Sequence, residues 1–158
     1  MVWSLVACLF IGVQPIMADT SSGLVTPRFV SVRSDEVNVR AGPGQRYPIE
    51  WVFKHDGMPV EIIREFGAWR EIKDKDGDAG WIHKSLLSGK RFIIIDSHIT
   101  TLYEKNSIKS RPVVNLEAGV IALLEKCKDN WCLIKVSGYK GWLKKSEVWG
   151  VYPDEDVK

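Results

Sequence analysis

Cys127 and Cys132 are the side chains best suited to covalent chemistry, and their spacing says which kind. A thiol nucleophile needs a neighbouring base, and a structural zinc site needs four ligands. C-x4-C has no second pair in this chain, and His55, His83 and His98 all lie far from it in sequence. The run Asp74-Lys75-Asp76-Gly77-Asp78 sets carboxylates at alternate positions, as a calcium loop would. An EF-hand loop, however, needs Gly at its sixth position and Glu at its twelfth. Those places hold Ala79 and Ser85, so a hairpin turn on Asp76-Gly77 is the better reading. No serine stands in a G-x-S-x-G elbow and no histidines stand in an H-x3-H pair. No catalytic residue, metal or cofactor is expected.

What remains is binding chemistry. Tyr47, Trp51, Tyr103, Tyr139 and Trp149 are free of an obvious core role and could line a groove or pack one part of the chain on another. Lys126, Lys128, Lys135, Lys140, Lys144 and Lys145 tint the last third basic, as edge protection or as attraction for an anionic polymer. Yet 22 Lys plus Arg face 20 Asp plus Glu, a balance that argues against a nucleic-acid binder. With 45% hydrophobic and 27% charged residues the chain is globular. Seven Trp, 13 Gly and 7 Pro suit short strands and turns rather than long helices.

Residues 1–18 carry no charged side chain and are followed by Asp19-Thr20-Ser21-Ser22-Gly23. That is the pattern of a secretory signal peptide with cleavage near Ala18. Leu5-Val6-Ala7-Cys8 resembles a lipobox, but the apolar run continues past Cys8, which disfavours lipidation. No apolar stretch reaches the roughly 20 residues that span a bilayer, so no transmembrane segment is expected in the mature chain. Export leaves an even pair, Cys127 and Cys132, a disulfide candidate beside the alternatives of buried thiols or half a metal site.

The positioning elements come from an internal duplication. Gly57-Met58-Pro59-Val60, Gly67-Ala68-Trp69 and Gly80-Trp81-Ile82 recur as Gly119-Val120-Ile121-Ala122, Asp129-Asn130-Trp131 and Gly141-Trp142-Leu143. Gly57 to Gly119 and Trp69 to Trp131 are 62 positions apart, and Trp81 to Trp142 is 61. The chain therefore divides into a signal peptide (1–18), a linker (19–28), two similar units (29–90 and 91–152) and a polar tail (153–158). Within each unit, runs of about five alternating residues separated by turns predict a small β-barrel or sandwich. Lys84-Ser85-Leu86-Leu87 has room for one helical turn, and Trp69 and Trp131 are expected mostly in the cores.

Val37-Asn38-Val39-Arg40-Ala41-Gly42-Pro43-Gly44, followed by a Trp and then Gly80-Trp81-Ile82, resembles the bacterial SH3 (SH3b) domain. Trp131-Cys132-Leu133-Ile134-Lys135-Val136 with Gly141-Trp142-Leu143 is similar to the second repeat of exported tandem SH3-like proteins of Gram-negative bacteria. The resemblance implies an all-β fold of two tandem SH3-like barrels. It also implies a non-catalytic periplasmic binding module that recognises a cell-wall (peptidoglycan) peptide or an envelope protein. The alternative is a structural or accessory envelope protein with no wall ligand. Candidate ligand-binding residues are Asn38, Arg40, Tyr47, Trp51, Tyr103 and Tyr139. The second unit departs from the pattern, because Thr101-Leu102-Tyr103-Glu104-Lys105 replaces the Asn-Val-Arg-Ala-Gly stretch.

Four local expectations follow from residue physics. Gly42 and Gly44 supply positive φ in a tight turn. Gly80 and Gly141 leave room for an indole over the backbone. The Asn38 amide holds loop backbone groups. Cys127 and Cys132 close a β-hairpin around Lys128-Asp129-Asn130, and Glu65 and Arg70, their counterparts in the first unit, form an exposed ion pair.

Overall fold

The computed structural model describes residues 21–158; the expected signal peptide, its expected cleavage point and Cys8 fall outside the described residues. The first unit is built from β1 (Arg28–Val32), β2 (Val37–Arg40), β3 (Ile49–Phe53), β4 (Pro59–Phe66), β5 (Trp69–Lys73), β6 (Ala79–His83) and β7 (Leu87–Ser88). The second repeats it as β8 (Phe92–Ile95), β9 (Ile99–Tyr103), β10 (Pro112–Glu117), β11 (Ile121–Lys128), β12 (Trp131–Val136), β13 (Tyr139–Lys144) and β14 (Val148–Trp149). The strand orders are β3-β2-β6-β5-β4-β1-β7 and β10-β9-β13-β12-β11-β8-β14, the same topology twice. The fold is all-β, two small tandem barrels, with single 3-10 turns at Lys84–Leu86 and Lys145–Glu147.

Side-chain alternation decides what each strand buries. Val37 and Val39 of β2 and Ile72 of β5 join Val32, Val60, Ile62 and Ile82 in the first core. Ile93, Ile95, Leu102, Leu124, Ile134 and Leu143 form the second. This parity moves Trp69 and Trp131 out of the cores. Their neighbours Arg70 and Cys132 take the inward places, and the two indoles lie half-buried on the other face. Trp69 meets the His83 ring edge-on at 5.4 Å, and Trp131 meets Tyr103 at 6.1 Å.

Cys127 and Cys132 are joined in a disulfide, opposite each other in the β11–β12 hairpin with Cα atoms 4.1 Å apart. The Cys127 N–H donates to the Val157 carbonyl and its carbonyl accepts from the Val157 N–H, at 2.9 and 3.0 Å. Both backbone groups therefore point away from β12. That makes the cysteine pair a non-hydrogen-bonded one, where side chains stand closest. Closing so short a loop is worth about 2 kcal/mol in the chain-entropy picture.

The first barrel has Glu65 opposite Arg70 in the same register, with Nε 3.1 Å from Oε1. The pair was expected to be exposed, and it is buried, at 7% and 5% side-chain exposure. The cover comes from the first residue of β1 and the segment before it. Arg28 Nη2 reaches Glu65 Oε1 at 2.7 Å, and the Ser22 N–H reaches Oε2 at 2.7 Å.

The barrels pack through the start of β1 and the end of the chain. Phe29 faces Trp149 at 4.9 Å and Tyr152 at 4.7 Å, which assigns Trp149 to packing between the barrels. The Tyr152 hydroxyl donates to Glu61 Oε1 at 2.7 Å, and Lys73 reaches Oε2 at 2.7 Å. Burial, and then that hydrogen bond to Glu61, hold the Tyr152 phenol above its usual titration range. Residues 153–158 are strapped down: Arg91 pairs with Glu155 at 2.6 Å, and buried Lys145 donates to the Glu155 carbonyl at 2.8 Å.

Candidate functional site

The β2–β3 loop, residues 41–48, is organised from both its ends. Arg40 Nη1 donates to the carbonyls of Gln45 and Tyr47 at 3.1 and 2.8 Å. Among the described residues the Asn38 side chain makes no hydrogen bond, so Arg40 does the work expected of it. Backbone bonds run from Ala41 N–H to Pro48, Gly44 N–H to Gly42 and Tyr47 N–H to Gly44. Neither Gly42 nor Gly44 has the positive φ expected of it. Gly42 is required for space: a methyl group there would stand 2.5 Å from the Tyr47 ring.

The second barrel builds the same loop from different residues. Glu104 N–H bonds to Arg111, Ser107 N–H to Lys105 and Ser110 N–H to Ser107, each 63 positions on from its counterpart. Lys105 stands where Gly42 does, and Ser110 stands where Tyr47 does. With the ring gone the larger residue fits, and the Ser110 hydroxyl accepts from the Lys105 N–H at 3.0 Å. The two differences are thus one coupled change. Gly42→Ala alone is expected to cost about 1–2 kcal/mol by overpacking, and much less when Tyr47→Ser accompanies it. A double-mutant cycle by urea unfolding should return a coupling of about 1 kcal/mol. Additive effects would show that the ring does not set the requirement.

Trp51 lies half-buried on β3, edge-on to Phe53 at 6.2 Å. Its Cη2 would stand 3.0 Å from a Cβ at Gly80, so one of the two expected indoles does cover a glycine. At Gly141 the close neighbours are instead the Tyr103 carbonyl and Leu102, at 2.6 and 2.8 Å. The six candidate binding residues do not form one site. Arg40, Tyr47 and Trp51 surround the first barrel's β2–β3 hairpin, with Asn38 on its strand. Tyr103 pairs with Trp142 in the second barrel, while Tyr139 stands exposed at the start of β13 opposite Val136.

One recurring arrangement lay outside these expectations. Arg64 stands 5.4 Å over the Trp81 ring, and Lys126 stands 5.3 Å over the Trp142 ring. The two pairs occupy equivalent places, and the 61–62-residue offset was the signal that could have found them. In the first barrel the pair is closed: Glu71 holds Arg64 at 2.8 Å and Trp81 is buried. In the second, Leu133 faces Trp142 in the register place of Glu71. Lys126 and Lys128 therefore lack a carboxylate partner among the described residues. Trp142, Lys126, Lys128, Asp129, Asn106 and the segment Asp156–Lys158 wall an open cleft of about 610 Å³ above the disulfide. Nearby Glu125 is ion-paired with Lys135 and Lys140, whose hydrogen bonds hold its carboxyl below the usual range. Two ammonium groups with no carboxylate partner among the described residues, one of them over an indole face, suit a ligand carrying carboxylates on an extended, partly apolar frame.

The profile of the bacterial SH3 domain family matches residues 33–89 and 99–150. The curated protein "Putative N-acetylmuramoyl-L-alanine amidase YrvJ" of Bacillus subtilis (strain 168) is 37% identical over 57 residues. The match spans 36% of this chain but 11% of that protein. Two solved structures, NlpC2 and NlpC1 of Trichomonas vaginalis, overlay 84% and 87% of this chain at 14% and 17% identity. Their TM-scores are 0.38 and 0.35, and this chain spans about half of each (51% and 50%).

Proposed function

The chain belongs to the bacterial SH3 domain family, and from that premise we propose that it is a non-catalytic binding module of the cell envelope. It is exported to the periplasm of a Gram-negative cell and recognises a cell-wall (peptidoglycan) peptide, or an envelope protein presenting similar chemistry. The observation that carries this reading is the open cleft of the second barrel, where Lys126 stands over Trp142 and neither Lys126 nor Lys128 is ion-paired among the described residues. The relative named as an amidase supports the wall direction, and the 57 residues shared with it are the length of one barrel rather than of the whole protein.

Purified sacculi test the reading. The mature protein is expected to pellet with them, and Trp142→Ala with Lys126→Ala is expected to lower the bound fraction at least fivefold. Protein left in the supernatant, together with crosslinking in cells to a single envelope protein, would replace the wall reading with the accessory one. Fractionation of cells carrying a C-terminal tag tests export.

A further inference from the structure

Among the described residues, the far half of the long strand of each barrel has no partner strand on its outer side, and in each a segment from outside the barrel lies against it. β1 pairs with β4 only as far as Ile62, and beyond it Ser22 bonds to the Glu65 carboxylate. β8 pairs with β11 only along Ile121–Leu123, and beyond it Val157 forms an isolated antiparallel bridge with Cys127. Glu65 and Cys127 are equivalent positions of the repeat. In the second copy this edge takes up extended chain at Val157; in the first, the Glu65 carboxylate on the same edge holds the Ser22 backbone.

In the second barrel the chain taken up is Pro153-Asp154-Glu155-Asp156-Val157-Lys158, three acids followed by a β-branched residue. Its surroundings are complementary. Glu155 meets Arg91 at 2.6 and 3.1 Å, and its carbonyl accepts from Lys145. Asp156 Oδ1 accepts from the Asp129 N–H at 3.3 Å. Val157 packs against the second core, while Lys126 and Lys128 wall the cleft beside it. A single bridge with two backbone bonds joins this segment to β11, the rest of its hold coming from Arg91 and Lys145, so most of an edge that offers strand-type hydrogen bonding is unused.

We propose that the outer edge of β11 at Cys127, with Arg91, Lys126, Lys128 and Trp142, is a docking site for an extended acidic peptide. The peptide enters by strand addition in place of residues 153–158. The geometry sets its pattern: a carboxylate two residues ahead of a β-branched residue, the first for Arg91 and the second for the place of Val157. Residues 153–158 then act as a competitor in cis that lowers apparent affinity by the fraction of time they are docked. The proposal deepens the binding reading and rests on it only for the source of the peptide.

The probe is a synthetic peptide with the sequence of residues 152–158, titrated into the full chain while backbone amide and indole resonances are followed. Val157→Pro removes the N–H given to Cys127, and Glu155→Gln weakens the clamp without touching the backbone. Both variants are expected to bind the peptide at least tenfold more tightly than the unaltered protein, with shifts at the Cys127 amide and the Trp142 indole. A peptide with Asp in place of its Val is expected to lose binding. Equal affinity in all three proteins, or shifts confined to other surfaces, overturns the proposal. Peptide binding without pelleting on sacculi supports this site and removes the wall as its source. Pelleting unaffected by either variant, with no peptide binding, removes the site and leaves the wall reading standing.

Discussion

Glu65→Ala is expected to destabilise the first barrel by about 3–5 kcal/mol, the cost of removing one partner from a buried ion pair. One carboxylate takes three hydrogen bonds, from Arg28 Nη2 and the Ser22 hydroxyl on Oε1 and from the Ser22 N–H on Oε2, and pairs with the Arg70 charge 3.1 Å from Oε1. Without it the buried Arg70 keeps only the carbonyls of Gly67 and Trp69, each at 2.8 Å, and its charge has no counterion. Arg28 and the Ser22 segment lose their anchor as well. Glu65→Gln keeps the shape and loses the charge, so its cost should be smaller. Chemical unfolding at pH 7, with the denaturant slope unchanged, is the measurement. A loss below about 1 kcal/mol would mean that the pair is loosely held and not truly dry.

The same carboxylate predicts an acid dependence whose direction is fixed. Burial pushes the Glu65 pKa up, but the Ser22 N–H, Arg28, the Ser22 hydroxyl and the Arg70 charge together bring it from 4.5 down to about 2. A carboxylate with a lower pKa folded than unfolded contributes stability that is fully present above the unfolded value. That contribution is lost as pH falls from about 4.5 towards 2. The unaltered protein should therefore weaken through this window, and Glu65→Ala should weaken less steeply there. The second barrel has a disulfide at this position, which does not titrate, so one hairpin end is acid-sensitive and its twin is sensitive to reductant.

What could be read from the sequence was whatever repeats or alternates. The anchors at Gly57, Trp69 and Trp81 and their copies reveal the duplication, and the alternation around them implies strands. The disulfide was legible because the two cysteines stand only five positions apart around one turn-forming stretch, so the register is local. The burial of Glu65 was not, because its cover comes from Ser22 and Arg28, about forty residues away. Trp69 and Trp131 were misplaced for a related reason: large apolar side chains suggest a core, but strand parity gives the inward place to the next residue. The Trp142 cleft depends on Lys126, on Leu133 in place of a carboxylate, and on a segment some fifteen residues further on. No short motif contains those three facts together. The role of Gly42 was legible as a need for glycine, yet the reason lay in the ring of Tyr47 across the loop.

Gly141→Ala is expected to destabilise the second barrel by about 3 kcal/mol, the upper end of ordinary overpacking. The φ of Gly141 is not positive, so conformational freedom is not the issue. The issue is that β9 crosses close over β13, and a methyl group would stand 2.6 Å from the Tyr103 carbonyl oxygen and 2.8 Å from Leu102 Cγ. The first obstacle is backbone, which cannot rotate aside, and one register pair, Trp142 with Tyr103, joins these two strands. The strands must part, and Trp142 turns with them, so the cleft should change shape along with the loss of stability. Gly80 is the control, because the nearest obstacles there are the Val39 side chain at 2.5 Å and Trp51 at 3.0 Å, with the Arg40 carbonyl at 3.2 Å. Side chains can give way, so Gly80→Ala should cost less. Gly138, with φ of 83° and nothing within 4 Å of an added Cβ, isolates the conformational cost alone, about 1 kcal/mol. Unfolding midpoints should therefore fall in the order Gly138→Ala, Gly80→Ala, Gly141→Ala. A Gly141→Ala protein within 1 kcal/mol of the unaltered chain would show that β9 and β13 can separate freely, and that the cleft does not depend on their close approach.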